Sequence, residues 1–310
     1  MTRADTLMTV RMHDDEVSID DGTLRKLVDD QFPQWRSMPI RRVAGSGTVN
    51  AIFRIGEDHA ARLPLTGDDP DAAAETLRRE AAALAAFAGA SPFSAPRPVA
   101  LGQPGAGYPL PWSVQTWIPG IVATPDAVSH SPEFATDLAT LIRAVRATDT
   151  GGRGFSGVGR GGNLQDADEW MDLCFTKSTG LLPVDDLRAL WEELRELPDP
   201  GALAMTHGDL IPGNLLIENG RLVGVLDGGA FGPADPSLDL VAAWHLLEAD
   251  ARAVLRADLG SDDLEWNRGR AWAFQQAMGL VWYYADSNPT MSALGRSTLR
   301  RILDEDEMGD

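Results

Sequence analysis

His207, Asn214 and four aspartates crowd into residues 206–239, THGDLIPGNLLIENGRLVGVLDGGAFGPADPSLD. Between them lie two apolar runs of strand length, Leu215-Leu216-Ile217 and Leu222 to Leu226, joined by Asn219-Gly220. An Asn-Gly pair suits a tight type I′ turn, in which both central residues need positive φ. The segment therefore predicts a hairpin that starts just after Asp209 and Asn214 and ends at Asp227, 18 residues beyond Asp209. Folding it brings three oxygen-bearing side chains to one end of a sheet. Hard oxygen ligands gathered at one point suit Mg²⁺, which keeps several waters and bridges phosphates.

The run His207-Gly208-Asp209-Leu210-Ile211-Pro212-Gly213-Asn214, followed by an apolar hairpin and Asp227-Gly228-Gly229, resembles the catalytic region of the aminoglycoside phosphotransferase family. The resemblance implies an α+β, two-lobed protein-kinase-like fold, with a small N-terminal antiparallel-sheet lobe and a larger, mainly helical C-terminal lobe. It implies transfer of the γ-phosphoryl group of ATP or GTP to a hydroxyl of a small molecule. In that reading Asp209 accepts the proton of the acceptor hydroxyl or orients it, and His207 braces the loop. Asn214 and Asp227 hold Mg²⁺. Phosphoryl transfer fits such a set, because it needs positioning and charge neutralisation more than covalent help. Gly228 departs from the family, whose members carry a bulkier residue after the metal-binding Asp.

The same resemblance assigns nucleotide contacts upstream. Residues 41–65 read as strand, glycine turn, strand, turn, strand, and Ser46-Gly47-Thr48 would let backbone N–H groups approach phosphates. The third strand of the family carries a phosphate-binding Lys. Here Arg62 stands in its place, since the lysines of this chain are Lys26 and Lys177. Arg can pair bidentately with phosphate, but its planar fork is larger than an ammonium. Residues 71–90 form an Ala-rich helix with Leu77, Leu84 and Phe87 on its apolar stripe. Glu80 falls on that stripe, where a carboxylate needs a partner, and Arg62 is the natural one. The strand Trp112–Thr116 runs into Pro119-Gly120. By order along the chain it is the hinge, with backbone groups around Gln115 and Trp117 facing the purine and a boundary between lobes 1–116 and 117–310.

Helices must position the rest. Periodicity predicts them over about 21–31, 131–147, 166–178, 183–197, the segment following Asp235-Pro236, 262–286 and 290–304. Asp235 reads as a helix cap and Asp239 as a brace for the catalytic loop. The glycine-rich stretch 151–162 lacks a preceding strand and a GK[ST] ending, so it reads as a loop. His245 sits among apolar residues and reads as a core histidine. Glu248, Asp250 and Asp286 are candidates for the acceptor-facing wall.

Composition narrows the partners. A chain of 310 residues with 44% hydrophobic residues can bury two lobes. Its formal net charge of −19 argues against nucleic acid or an anionic membrane as partner and is compatible with a cationic small-molecule acceptor. One cysteine, Cys174, allows no internal disulfide. With no apolar run of membrane-spanning length and no secretory pattern at the start, a cytoplasmic protein is expected. The acceptor expected from the resemblance is an aminoglycoside or macrolide antibiotic. A metabolic kinase of an amino alcohol or sugar derivative, and a nucleotide-binding pseudokinase, are the alternatives.

Overall fold

A computed structural model describes residues 17, 19–43, 49–67 and 69–307, side chains of 305–307 excepted. The chain divides into two compact units, Met1–Arg79 with Pro98–Trp117, and Glu80–Arg97 with Ile118–Asp310.

The first unit is built on a five-stranded antiparallel sheet. After helix α1 (Asp21–Gln31) come strands β1 (Ile40–Arg42), β2 (Asn50–Ile55) and β3 (His59–Pro64), then helix α2 (Pro70–Ala90), whose first half belongs here, then β4 (Pro98–Gly102) and β5 (Trp112–Thr116). The strand order is β1-β2-β3-β5-β4. In β2 every second residue, Ala51, Phe53 and Ile55, turns inward, the period-2 signature of a half-buried strand. These side chains meet Leu24, Leu27 and Val28 of α1 and Trp112 and Val114 of β5 in one core. Asp20 caps α1, its side chain accepting from the Thr23 N–H at 2.7 Å.

The second unit is mainly helical. Strand β6 (Ile121–Val122) precedes helices α3 (Pro125–Val128), α4 (Pro132–Arg146), α5 (Asp168–Lys177) and α6 (Val184–Leu194). Strands β7 (Ala204–Thr206), β8 (Leu215–Glu218), β9 (Arg221–Val225) and β10 (Gly232–Ala234) follow, then helices α7 (Val241–Leu246), α8 (Ala249–Leu259), α9 (Asp263–Tyr283) and α10 (Pro289–Glu307). The predicted hairpin is β8–β9, with Leu215 opposite Val225. Its turn has Asn219 at φ 51° and Gly220 at φ 75°, as the Asn-Gly reading requires.

Helix α9 is buried on nearly all sides between Arg268 and Val281, the mark of a central helix rather than a surface one. Helix α10 reaches it closely at Gly295, where a Cβ would stand 2.8 Å from the Ala277 carbonyl oxygen. Of the aromatic residues of α9, Trp266, Trp272 and Phe274 are buried in the core, while Tyr283 at its end is exposed. Cys174 is likewise buried, and burial pushes its thiol up to about 11. One buried charge interrupts the apolar face of α4. Asp137 accepts both Arg221 nitrogens, at 2.7 and 2.6 Å, and the Leu222 N–H at 3.1 Å, which clamps α4 to β9. Helix α8 and the short strand β10 are additions to the expected elements. Among the described residues, no helix is long and apolar enough to cross a membrane.

Candidate active site

The catalytic loop leaves β7, which pairs with β10 through Thr206 and Gly232. His207 follows immediately and is fully buried. Its backbone N–H donates to Oδ2 of Asp239 at 2.8 Å, and that of Gly208 donates to Oδ1 at 3.0 Å. Asp239 thus braces the loop as expected. Burial pushes the Asp239 carboxyl above its usual range, opposed by His207 and by these two N–H donors. Gly208 takes φ 88°, a left-handed conformation that glycine adopts without steric cost.

The His207 ring has one consistent protonation. Its Nε2 lies 2.8 Å from the Leu226 carbonyl, which can only accept, and its Nδ1 lies 3.3 Å from the Asp209 N–H, which can only donate. The neutral ring carrying its proton on Nε2 satisfies both. His207 therefore ties the residue before Asp227 to the backbone of Asp209.

Asn214 makes the second tie. Its Nδ2 donates to the Asp209 carbonyl at 2.9 Å and to Asp209 Oδ2 at 3.2 Å, and its carbonyl accepts the Leu226 N–H at 2.7 Å. With Nδ2 committed to Asp209, Oδ1 is the atom this side chain offers a cation. Asp227 follows Leu226 in the left-handed region, φ 58° and ψ 41°. Among the described residues no cluster of three or more His, Cys, Asp or Glu side chains could hold a metal. A carboxylate and an amide oxygen that share a site with substrate phosphates suit Mg²⁺, which is commonly held by one or two protein oxygens and completed by phosphate and water. The residues present fit that ion.

Gly228 has a packing reason. A Cβ there would stand 2.5 Å from Cδ1 of Phe87 on α2. The Phe87 ring in turn meets His207 edge-on at 4.9 Å and Phe231 at 5.6 Å between centroids. The bulk missing from position 228 is supplied by α2.

Two residues of the site went unread in the sequence. Arg160, from the glycine-rich loop, places NH2 2.6 Å from Oδ1 of Asp209. Gln276 of α9 donates Nε2 to the same oxygen at 3.1 Å. The loop that carries Arg160 is anchored where the Gly161 carbonyl accepts the Asp235 N–H at 2.8 Å. Asp235 caps the following 3₁₀ turn as expected, through Ser237. It also pairs with buried Arg268 at 2.7 Å and accepts the Trp272 indole N–H at 2.8 Å. An arginine set among glycines was the available signal for Arg160; Gln276 gave none beyond being polar on a buried helix.

The other site residues are distributed as follows. Arg62 is half-buried in β3, opposite Ile52 and Ser113, and belongs to the first unit. Glu80 belongs to the second. It is exposed, at the edge of the α2 stripe rather than facing the core, and its Cβ lies 3.3 Å from where Gly229 would carry one. Gln115 lies in β5 opposite Ala60, and the Trp117 N–H donates to the Asp58 carbonyl at 2.7 Å. Arg54 stacks over the Trp117 ring at 4.8 Å. Ser46, Gly47 and Thr48 lie outside the described residues. Of the wall candidates, Glu248 is taken up by Arg300 and Arg301, and Asp250 faces His130 at 3.0 Å.

The loop so braced sets Asp209 and Asn214 in contact at one end of the hairpin, with Asp227 following directly on Leu226. The chain belongs to the phosphotransferase enzyme family (APH), whose model matches residues 40–273. An aminoglycoside 3'-phosphotransferase of Streptomyces fradiae is 41% identical over 83 residues, 23% of this chain and 31% of that protein. One from Escherichia coli is 38% identical over 82 residues, 22% and 29% respectively. The chain thus spans less than a third of the length of either relative. Among solved structures, the GDP and kanamycin complex of APH(2")-IIia superposes with a TM-score of 0.68 at 18% identity, covering 91% of this chain and 98% of that one. The macrolide 2'-phosphotransferase MphH from Brachybacterium faecium gives 0.60 at 18%, covering 90% and 97%. At such identity the likeness shows the fold, which is the two-lobed α+β fold of those kinase-like enzymes.

Proposed function

We propose that the protein transfers the γ-phosphoryl group of a nucleoside triphosphate to a hydroxyl of a small molecule, with an aminoglycoside or macrolide antibiotic as the acceptor. The observation that carries this reading is the double tie at the end of the hairpin. Asn214 Nδ2 holds Asp209, while the Asn214 backbone carbonyl and His207 Nε2 hold Leu226 from either side, which supports reading Asp209, Asn214 and the neighbouring Asp227 as one unit. The names of the matched relatives and the acidity of the chain, −19, support a cationic acceptor.

In this reading the Asp209 carboxylate takes the proton of the acceptor hydroxyl as its oxygen bonds to the γ-phosphorus and the bond to the β–γ bridging oxygen breaks. Asn214 Oδ1 and the Asp227 carboxylate would hold Mg²⁺. Bound there, the ion neutralises charge on the phosphate oxygens. Arg62 and residues Ser46, Gly47 and Thr48 would contact the phosphates. The segment from Gln115 to Trp117 would meet the nucleotide base. Because the Trp117 N–H is already given to Asp58, its carbonyl is what remains for the purine.

Mass spectrometry of products tests the proposal. The protein is incubated with Mg-ATP or Mg-GTP and a panel of aminoglycosides, macrolides, amino alcohols and sugars. One added phosphoryl group on an antibiotic, absent with Asp209→Asn, is expected. A phosphorylated amino alcohol or sugar instead would move the chain to metabolism. Bound nucleotide with no product from any acceptor would overturn the transfer reading.

A further inference from the structure

Asp209 Oδ1 has two partners of different origin. Arg160 comes from a glycine-rich loop and keeps a partly exposed side chain. Gln276 comes from the middle of the buried helix α9 and is itself only 9% exposed. A primary amide is costly in such surroundings unless both its ends are satisfied. One end is the contact to Asp209. At the other, Gln276 Oε1 lies 3.0 Å from Nε2 of His245, a fully buried residue of α7. The second ring nitrogen, Nδ1, lies 2.8 Å from Oγ1 of Thr298 on α10, which is also fully buried.

The direction of every hydrogen bond in this row follows from the carboxylate. Asp209 Oδ1 already accepts from the Arg160 guanidinium at 2.6 Å and from Gln276 Nε2 at 3.1 Å, so the Gln276 NH₂ faces it and Oε1 faces the ring. Oε1 only accepts, so His245 carries a proton on Nε2. Burial pushes the His245 imidazole down to about 4, so the ring is neutral and Nδ1 holds a lone pair. The Thr298 hydroxyl must then give its hydrogen to Nδ1 rather than to the Leu294 carbonyl, which also stands 2.8 Å away. The row runs Thr298 O–H to His245, His245 Nε2–H to Gln276, Gln276 Nε2–H to Asp209. It links three helices to one oxygen of the base.

We infer that Gln276 is a positioning residue for Asp209, itself set by the His245–Thr298 pair, and that this row fixes the carboxylate plane from the core side. The inference rests on the reading of Asp209 as the acceptor base. Oδ2, held by Asn214, and Oδ1, held by Gln276, then keep one orientation whether or not Arg160 is displaced from the outer side. Neither His245 nor Gln276 touches a reacting atom.

Two measurements test it. In ¹⁵N-labelled protein at pH 7, the His245 ring, identified by its loss in His245→Gln, should show a protonated Nε2 and a bare Nδ1. A protonated Nδ1 would reverse the row and overturn the inference with no substrate present. The kinetic arm follows phosphoryl release from Mg-ATP and Mg-GTP to water and to kanamycin. Gln276→Leu should lower kcat about ten- to a hundredfold, the scale of one hydrogen bond to a charged group, with nucleotide KM unchanged. His245→Leu should lower it less, and the double variant should be no slower than Gln276→Leu alone. A purely structural role would instead reduce the folded fraction and leave kcat per folded molecule intact. Full kcat in Gln276→Leu beside an inactive Asp209→Asn sinks this inference alone. Full kcat in Asp209→Asn sinks the reading of the base beneath it.

Discussion

The guanidinium of Arg160 closes on the carboxylate of Asp209 at 2.6 Å, across 49 residues of sequence. Both side chains are about one third exposed, 29% and 32%, so the pair is wet and worth less than a buried one. It nevertheless covers the oxygen of Asp209 that Asn214 leaves open. Arg160→Ala should lower kcat by no more than about fivefold, roughly 1 kcal/mol, and leave nucleotide affinity unchanged, with Arg160→Lys in between, because a wet ion pair is lost while Asn214 and Gln276 still hold the Asp209 carboxylate. Steady-state kinetics with varied nucleotide and acceptor would check this. A rise in nucleotide Kd equal to the fall in kcat/KM would place Arg160 on the phosphates instead.

Asp227 sits at φ 58° and ψ 41°, a region that Asn also tolerates. Asp227→Asn should therefore unfold within about 1 kcal/mol of the parent while losing most Mg²⁺-dependent turnover. Asp227→Val should lose stability as well, since a β-branched residue is strained there. Urea unfolding beside a Mg²⁺ titration of activity separates the two effects.

Gly228→Ala places a methyl group 2.5 Å from the Phe87 ring. The contact is with ring and Cβ atoms close to the backbone of α2, which have little room to yield. Overpacking of this kind costs roughly 1–3 kcal/mol. Phe87→Leu combined with Gly228→Ala should cost less than the sum of the single changes. Strict additivity in denaturant unfolding would remove Phe87 as the cause.

The buried His245 makes stability depend on pH. Its pKa falls from 6.5 when unfolded to about 4 in the fold. The native state then binds fewer protons than the unfolded chain between those values. Its contribution is complete above about pH 6.5 and is lost as pH falls through 4. The drop amounts to roughly 3 kcal/mol, at 1.36 kcal/mol for each pH unit. Burial dominates the shift; Asp209 raises the pKa, while Arg160 and Arg301 lower it further. His245→Gln should flatten the stability profile between pH 7 and 5 relative to the parent, measured by urea unfolding at each pH.

The candidate site was legible in the sequence where its parts are close along the chain. Asp209, Asn214 and Asp227 flank one hairpin, and Asn219-Gly220 announces the turn that folds it, so spacing alone places them together. Asp235 and Asp239 were legible for the same reason, as short-range caps and braces. Arg160 was not, because a glycine-rich loop has no periodicity to say where its one functional side chain will land. Gln276 was hidden differently. On a helix buried all round, a polar residue carries no sign of which neighbour satisfies it. Asp137 shows the same limit, since its partner Arg221 lies 84 residues away on β9. Glu80 was placed on the α2 stripe by counting from Leu77 and Leu84, yet its position at the stripe's edge leaves it exposed.

Phe87 touches the brace of the catalytic loop, lies against the glycine after Asp227 and meets Phe231 beyond it. In protein kinases the aromatic residue after the metal-binding Asp, and the helix beside it, set the active and inactive forms. Here the ring comes from the helix, and Gly228 has no side chain of its own to swing. Shifting this part of α2 would mean pulling one ring out of three contacts at once. One ring therefore couples His207, Gly228 and Phe231, so a change at Phe87 reaches all three together.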